Sequence, residues 1–256
     1  MLIGKIHIGS GLGDQLFSYL ATRFIALNNN YDFGFIGKEN FKGKDFMDLD
    51  WGKEVDLKYR IEFPAGKLEI DEPHKLYIFD KPYYDPLFNF VEDDTVIDGT
   101  NAQDERYWDL EQVNRWLKVE PLKTFDDVCI VGFRGGEYAT VRELFLTSDY
   151  WTEAIGLILS KGIKKFEIHT DDVKLAKDLF CELLSWPDFE VIHDIGVNWR
   201  SIRYAKHLII ANSAFFILPS LLNRETQEVI APKYWAGRNV KEWRRPQNYY
   251  KKFTYI

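Results

Sequence analysis

Short apolar runs alternate with amphipathic segments along residues 128–231, and this pattern constrains the chain more than any other feature. Val128-Cys129-Ile130-Val131-Gly132-Phe133 reads as a buried strand. The spacing predicts further strands over Phe166–His169, Phe189–Ile192, Leu208–Ala211 and Val229–Ala231. Between them it predicts helices over Asp149–Ser160, Val173–Leu184, Trp199–Lys206 and Ala214–Leu222, with Ser148 or Asp149 as the first N-cap. Strands that alternate with helices imply a parallel sheet covered on both faces. Ligands of such sheets bind outside the carboxyl ends of the strands, so polar residues just past each strand are the functional candidates.

The first half opens in the same style. Ile3, Ile6 and Ile8 mark a strand, Gly9-Ser10-Gly11-Leu12-Gly13 a tight turn, and Leu16, Phe17, Leu20, Ala21, Phe24 and Leu27 a helix that Asn28-Asn29-Asn30 ends. Tyr31 to Ile36 reads as the next strand. Residues 38–125 carry little periodicity beyond a helix near Asp109 to Lys118. At 256 residues the chain is long enough for one large domain or two small ones, and the division expected is 1–125 and 126–256.

Charge and composition exclude several classes. The net charge of -7 gives no electrostatic grip on a phosphate backbone, so general nucleic-acid binding is not expected. Two cysteines make no disulfide framework; Cys129 and Cys181 are expected as buried thiols in a reducing compartment. The start has no secretory pattern, and the apolar stretch Leu208–Leu222 is interrupted and too short to span a bilayer, so a cytoplasmic protein is expected. His7, His74, His169, His193 and His207 show no zinc-ligand spacing. Asp48-Leu49-Asp50 has the Asp-x-Asp spacing of a divalent-cation transferase but follows no clear strand, and a solvated loop explains it better. No metal and no cofactor are expected.

The glycine loop is not a dinucleotide fingerprint, because Asp14 stands where the third glycine belongs and would repel a pyrophosphate at a helix N-terminus. The longer string Ser10-Gly11-Leu12-Gly13-Asp14-Gln15-Leu16-Phe17-Ser18-Tyr19-Leu20-Ala21 resembles the opening G-G-L-G-N-Q-x-F-x-Y-x-A of the α-1,2-fucosyltransferases, glycosyltransferase family 11. Three segments follow in matching order. Val131-Gly132-Phe133-Arg134-Gly135-Gly136-Glu137-Tyr138 resembles H-x-R-R-G-D-Y, and Thr170-Asp171-Asp172 resembles S-D-D. Ala205 to Phe215, with Val229 to Trp235 after it, resembles C-K-H-x-I-I-A-N-S-S-F and V-I-A-P-K-x-W.

The resemblance implies an α/β protein of GT-B type, with two Rossmann-like halves facing across a cleft and the N-terminal half reduced. Residues 1–125 would face the acceptor and 126–256 would hold the nucleotide-sugar donor. It implies inverting, metal-independent transfer of fucose from GDP-fucose to a glycan or lipid-linked acceptor. Arg134 would grip the leaving diphosphate bidentately. Asp171 and Asp172 would orient Arg134 or cap a helix, Tyr138 and Asn198 would line the donor site, and Asn212 and Ser213 would meet phosphate at a helix N-terminus. Gly11, Gly13 and Gln15 would form the acceptor-side loop. Asp14 is a candidate general base, with an N-cap bonded to Leu16 or Phe17 as its structural alternative and Glu137 as the next candidate base. Gly132, Gly135, Ala214 and Asn198 replace a His, an Arg, a Ser and an acid of the family pattern. Those departures leave open a different nucleotide-sugar donor, or a glycan-binding protein that no longer transfers. Lastly, Lys241, Arg244, Arg245, Lys251 and Lys252 stand among Trp243, Tyr249, Tyr250 and Phe253, a mixture that either rests on an anionic membrane or packs by its rings on the N-terminal half.

Overall fold

A computed structural model describes residues 1–56, 59–62, 67–70, 75–78, 85–184, 188–226, 228–242 and 250–256. The chain divides into two units, Met1–Lys118 and Val119–Ile256. The boundary falls before 125 because the connecting segment hangs on the second unit: Thr124 Oγ1 donates to Tyr204 O at 2.5 Å, and Tyr204 Oη donates to Val119 O at 3.5 Å.

The first unit is built on β1 (Leu2–Lys5), α1 (Leu12–Asn29) and β2 (Phe33–Ile36). An antiparallel hairpin of β3 (Tyr59–Glu62) and β4 (Lys67–Ile70) follows, then β5 (Lys75–Ile78), β6 (Thr95–Asp98) and the short helix α2 (Leu110–Trp116). Its main sheet has the order β2-β1-β6-β5, all parallel. The helix α1 starts at Leu12, four residues before the first apolar residue that periodicity assigns to it. Leu12 and Leu16 are both buried one turn apart, so the apolar stripe continues through Gly13 and Asp14. Gly11, not Asp14, is the N-cap residue, and Gly13 and Gln15 are helical rather than part of a loop. Gly99 just after β6 lets that strand end lie on α1; a Cβ there would be 2.5 Å from Ala21 Cβ.

The second unit contains β7 (Val128–Phe133), α3 (Ser148–Ser160), β8 (Lys165–Thr170), α4 (Val173–Leu183), β9 (Phe189–Ile192), α5 (Ile195–Tyr204), β10 (His207–Ile210), α6 (Ala214–Leu222), β11 (Val229–Ala231) and β12 (Phe253–Tyr255). Its six strands are all parallel in the order β12-β11-β10-β7-β8-β9. Read outward from β7, this is the 3-2-1-4-5-6 arrangement of a Rossmann sheet. Successive residues of β7 serve opposite faces. Phe133 packs on Trp151 of α3 and Phe180 of α4, with ring centroids 5.5 and 5.7 Å away. At Gly132 a Cβ would lie 3.0 Å from the ring of Phe216 on α6.

Cys129 is buried in β7, and that burial pushes its thiol well up; Cys181 is exposed on α4, contrary to expectation. The buried residues of α4 are Ala176 and Phe180, and one step of about 100° beyond Phe180 carries Cys181 toward solvent.

The C-terminal residues extend the second unit's own sheet. β12 pairs with β11, and the rings of Tyr250 and Phe253 pack with Trp235 at 6.2 and 6.1 Å. Lys252 turns inward and donates to Asn223 O. Lys241 stands apart from that packing, on the exposed surface, while Trp243, Arg244, Arg245 and Tyr249 lie outside the described residues. Burial, with Arg203 adding repulsion, brings the Lys252 ammonium down to about 8. A depressed lysine means that the folded chain holds fewer protons than the unfolded one between pH 8 and 10.5, so stability rises with pH across that window. Relative to Lys252→Met, the wild type is expected to gain roughly 2–3 kcal/mol from pH 8 to 10.5, read by denaturant unfolding at both ends. An unchanged difference between the two proteins would show that Lys252 titrates normally.

Among the described residues, no helix is long and apolar enough to cross a membrane.

Candidate active site

In the second unit the chain runs from β7 outward to β9 and then crosses back to β10 on the other side of β7. The crevice of such a sheet opens where the order reverses, at the carboxyl ends of β7 and β10. Arg134-Gly135-Gly136 leaves β7, and Ala211-Asn212-Ser213 joins β10 to α6.

Arg134 is the centre of this site. Its Nη1 donates to Asp171 Oδ2, and its Nη2 donates to Glu137 Oε1 at 3.0 Å. The Tyr138 ring lies 5.2 Å from the guanidinium carbon. The Arg134 Nε is buried and has no hydrogen-bond partner among the described residues. Asp171 also accepts from Gly135 N at 2.9 Å, so one carboxylate fixes both the side chain and the backbone that carries it. Asp172 works elsewhere, since its Oδ1 accepts from Leu175 N at 3.0 Å and caps α4. The two acids thus divide between orienting Arg134 and capping a helix.

Both glycines after Arg134 are required by this approach. A Cβ at Gly135 would lie 2.6 Å from Asp172 Cβ, and Gly136 has φ +45° with a Cβ position 2.6 Å from Asp171 Oδ2. Gly135→Ala is therefore expected to push Asp172 off its cap and to cost about 1–3 kcal/mol of stability, measured by chemical denaturation. Unchanged stability would mean that the Asp172 side moves away without cost.

Asn212 and Ser213 complete the crevice on the β10 side. Asn212 is buried; its Nδ2 donates to Leu144 O at 3.0 Å, while its Oδ1 is buried and has no partner among the described residues. Ser213 is the N-cap of α6 and accepts from Phe215 N at 3.4 Å. A helix N-terminus beside an oriented guanidinium is a place where a diphosphate meets several donors at once.

Asn198 is placed differently from its sequence expectation. It is buried on α5, where its Oδ1 meets His169 Nδ1 at 2.9 Å and its Nδ2 donates to Thr170 O at 3.3 Å. Its amide ties α5 to the end of β8, so both polar ends are engaged inside the unit. At Gly132 any side chain, the imidazole of the family pattern included, would have to displace the Phe216 ring by a few tenths of an ångström.

In the first unit, Asp14 lies in the first turn of α1, half-buried. Gln15 is fully buried and acts as a bolt: Nε2 donates to His7 O and Asn40 O, both at 3.0 Å, and Oε1 accepts from Lys42 N at 3.0 Å. A pair that no sequence spacing marks lies at the carboxyl ends of β1 and β6, where His7 Nε2 meets Asp98 Oδ2 at 3.1 Å. Asp48 is exposed; Asp50 is spent on Arg23 Nη2 at 3.2 Å and Gly52 N at 3.0 Å. Among the described residues no group of three or more His, Cys, Asp or Glu is arranged to hold a metal ion.

A Rossmann-ordered sheet with polar groups gathered at its switch point defines a class of α/β units that take their ligands at the carboxyl ends of the strands. No protein-family model and no curated protein matches the chain. Solved structures do. It is similar to fucosyltransferase NodZ from Bradyrhizobium in two crystal structures, at 11% identity and TM-score 0.45 over 86% of this chain and 92% of that one, and at 12% and 0.44 over 86% and 91%. A NodZ α-1,6-fucosyltransferase structure soaked with GDP-fucose is similar at 12% identity and TM-score 0.40, over 94% of this chain and 90% of that one.

Proposed function

We propose that this chain is a metal-independent glycosyltransferase whose C-terminal unit holds a nucleotide-sugar donor by its diphosphate. One observation carries the reading: at the switch point, Asp171 orients Arg134, whose Nη2 meets the exposed Glu137 and whose Nε has no hydrogen-bond partner among the described residues. The four ordered motifs support it. In this reading the chain is GT-B-like, the N-terminal unit takes the acceptor, and inverting α-1,2 transfer of fucose from GDP-fucose to a glycan or lipid-linked hydroxyl is the leading reaction. In this reading it is a cytoplasmic enzyme.

The diphosphate leaves as an anion, and Arg134 with the α6 N-terminus supplies the compensating charge. Transfer should accordingly survive excess EDTA. Loss on chelation with recovery on Mn2+ would replace this mechanism by one centred on a metal.

A second reading has its own support. Gly132 carries no side chain and lies against the Phe216 ring, and Asn198 is engaged with His169 and Thr170, so two positions that read the base in the family pattern are not available here. A donor other than GDP-fucose on the same fold follows from that, with a glycan-binding protein that has lost transfer as its limiting form.

A thermal-shift and donor-hydrolysis panel of nucleoside diphosphates and nucleotide sugars tests both. Stabilisation by one nucleoside diphosphate together with turnover of its sugar supports the transferase. Stabilisation by glycans alone points to the binding protein, and a response to neither ends both readings.

A further inference from the structure

Asp171 orients Arg134, and the backbone on either side of Asp171 is itself held. A peptide unit is planar, so Asp171 sits between two rigid planes, and the two dihedrals that join them decide where its carboxylate stands. The plane after it is held by Asp172 N, which donates to Thr170 Oγ1 at 2.9 Å. The plane before it is held by its carbonyl oxygen. His193 Nδ1 donates to Thr170 O at 2.9 Å, and Asn198 Nδ2 donates to the same atom at 3.3 Å. Both donors come from outside the strand: Thr170 ends β8, His193 follows β9 and Asn198 lies in α5.

The chemistry of this clasp dictates which atoms make it. A carbonyl only accepts, so His193 carries its proton on Nδ1 and Asn198 turns its NH2 to Thr170. Asn198 Oδ1 then accepts from Nδ1 of His169, a ring with no exposure, at 2.9 Å. The reversed amide would set Oδ1 against the Thr170 carbonyl, acceptor against acceptor. An ionised acid at position 198 would do the same, so asparagine supplies the donor that this carbonyl needs. On the other side, Asp171 accepts from Gly135 N at 2.9 Å as well as from Arg134 Nη1. A shift at Thr170 is therefore passed both to the guanidinium and to the backbone that carries it.

We propose that His193 and Asn198 are positioning residues for Arg134: together they hold the Thr170 carbonyl, and through it the Asp171 carboxylate that orients the guanidinium. This rests on the transferase reading above, in which Arg134 meets the leaving diphosphate. Such a group works only while it is held in its productive geometry, and the clasp supplies that from residues that touch no substrate.

His193 is exposed, so His193→Ala removes one arm of the clasp without opening the core. ¹⁵N relaxation of the Arg134 Nε–H group reads the effect with no ligand present; its signal is identified by its loss in Arg134→Lys. The order parameter should fall from about 0.85 to about 0.6 in His193→Ala, with the melting temperature within a few degrees of wild type. It should return in His193→Asn, whose NH2 stands in for Nδ1–H. In the same variants kcat for sugar transfer should fall by about 3–10-fold, the range of one neutral hydrogen bond, and recover. In an Arg134→Lys background His193→Ala should cost nothing further, because the group it acts through is gone. Asn198→Asp, nearly isosteric but without the donor, should loosen Arg134 in the same way; where it does not fold, His193→Ala decides alone. An unchanged Arg134 order parameter in His193→Ala overturns the proposal. So does transfer by His193→Ala at the wild-type rate, or an equal loss of kcat with and without Arg134. Wild-type protein that turns over no nucleotide sugar overturns the transferase reading, and the Arg134 order parameter then decides the clasp by itself.

Discussion

Arg134→Lys is expected to lower sugar transfer by about 10²–10³-fold, the usual cost of removing one preorganised donor from a developing anion. The argument lies in the geometry of the guanidinium. One edge of Arg134 is held by Asp171, and the side chain carries three separate nitrogens, of which Nε is buried and unused. A planar fork can keep its bond to Asp171 while another edge meets phosphate; a lysine ammonium cannot do both in fixed directions. Folding should hardly change, because the Arg134 side chain remains 28% exposed and its partners are surface carboxylates. Glu137 sharpens the test. It takes Nη2 at 3.0 Å but is itself 74% exposed, so it is a weak competitor that a phosphate displaces. Glu137→Gln should therefore raise nucleoside diphosphate affinity by up to about fivefold, the range of an exposed ion pair, and should not abolish transfer. Calorimetric titration of the nucleotide with each variant, beside kcat, checks both statements. Near-normal turnover in Arg134→Lys removes this residue from the chemistry, and a loss of transfer in Glu137→Gln returns Glu137 to consideration as a base.

The second unit is legible in the sequence where an element's boundary coincides with a change in side-chain chemistry. β7, β9, α6 and β11 have the bounds that periodicity assigns, because apolar runs there stop abruptly at Arg134, His193, Asn223 and Pro232. α5 begins at Ile195 rather than Trp199, since Asp194 caps it by accepting from Val197 N at 2.7 Å, and the glycine at 196 masks that first turn. α1 is longer than its pattern suggests for the same reason: its glycines read as turn formers, although buried leucines on either side continue the helical stripe. β12 carries no signal, because a three-residue edge strand among basic residues is set by its partner β11 and not by its own pattern.

The candidate site divides along similar lines. Arg134 and Asp171 stand directly past strand ends, and their positions follow once the strands are known. The His7–Asp98 pair spans 91 residues and exists only because β6 returns beside β1; no local spacing encodes it. Gln15 stands out in the sequence, but its role differs in kind from the one its motif suggests. Its amide is engaged by three backbone groups. It closes the backbone of the segment that carries His7 onto the segment after Asn40.

Gln15→Leu tests that last point and should be among the most destabilising single changes in the first unit. Leucine fills nearly the same volume, so the cost is polar. Two carbonyls, those of His7 and Asn40, and the Lys42 N–H lose partners around a side chain with no exposure. At about 1–3 kcal/mol for each buried group left unpaired, and with some relief from water at the edges, the expected loss is roughly 3–5 kcal/mol. Gln15→Glu separates this from a packing effect, because it is nearly isosteric. Its carboxylate can still accept from Lys42 N, but a charged oxygen would then confront the His7 and Asn40 carbonyls. Burial and those carbonyls favour the protonated acid, which can donate to one of them, so the folded-state pKa of the introduced carboxyl should be raised. A raised carboxyl pKa contributes stability that is present at low pH and lost as pH rises through the folded value. Gln15→Glu should thus approach wild type in acid and fall away toward neutral pH, whereas Gln15→Leu should show a deficit nearly independent of pH. Denaturant unfolding of the three proteins across that range decides it. A pH-independent deficit in Gln15→Glu, or stability equal to wild type in Gln15→Leu, would show that the three hydrogen bonds do not hold the loop in place.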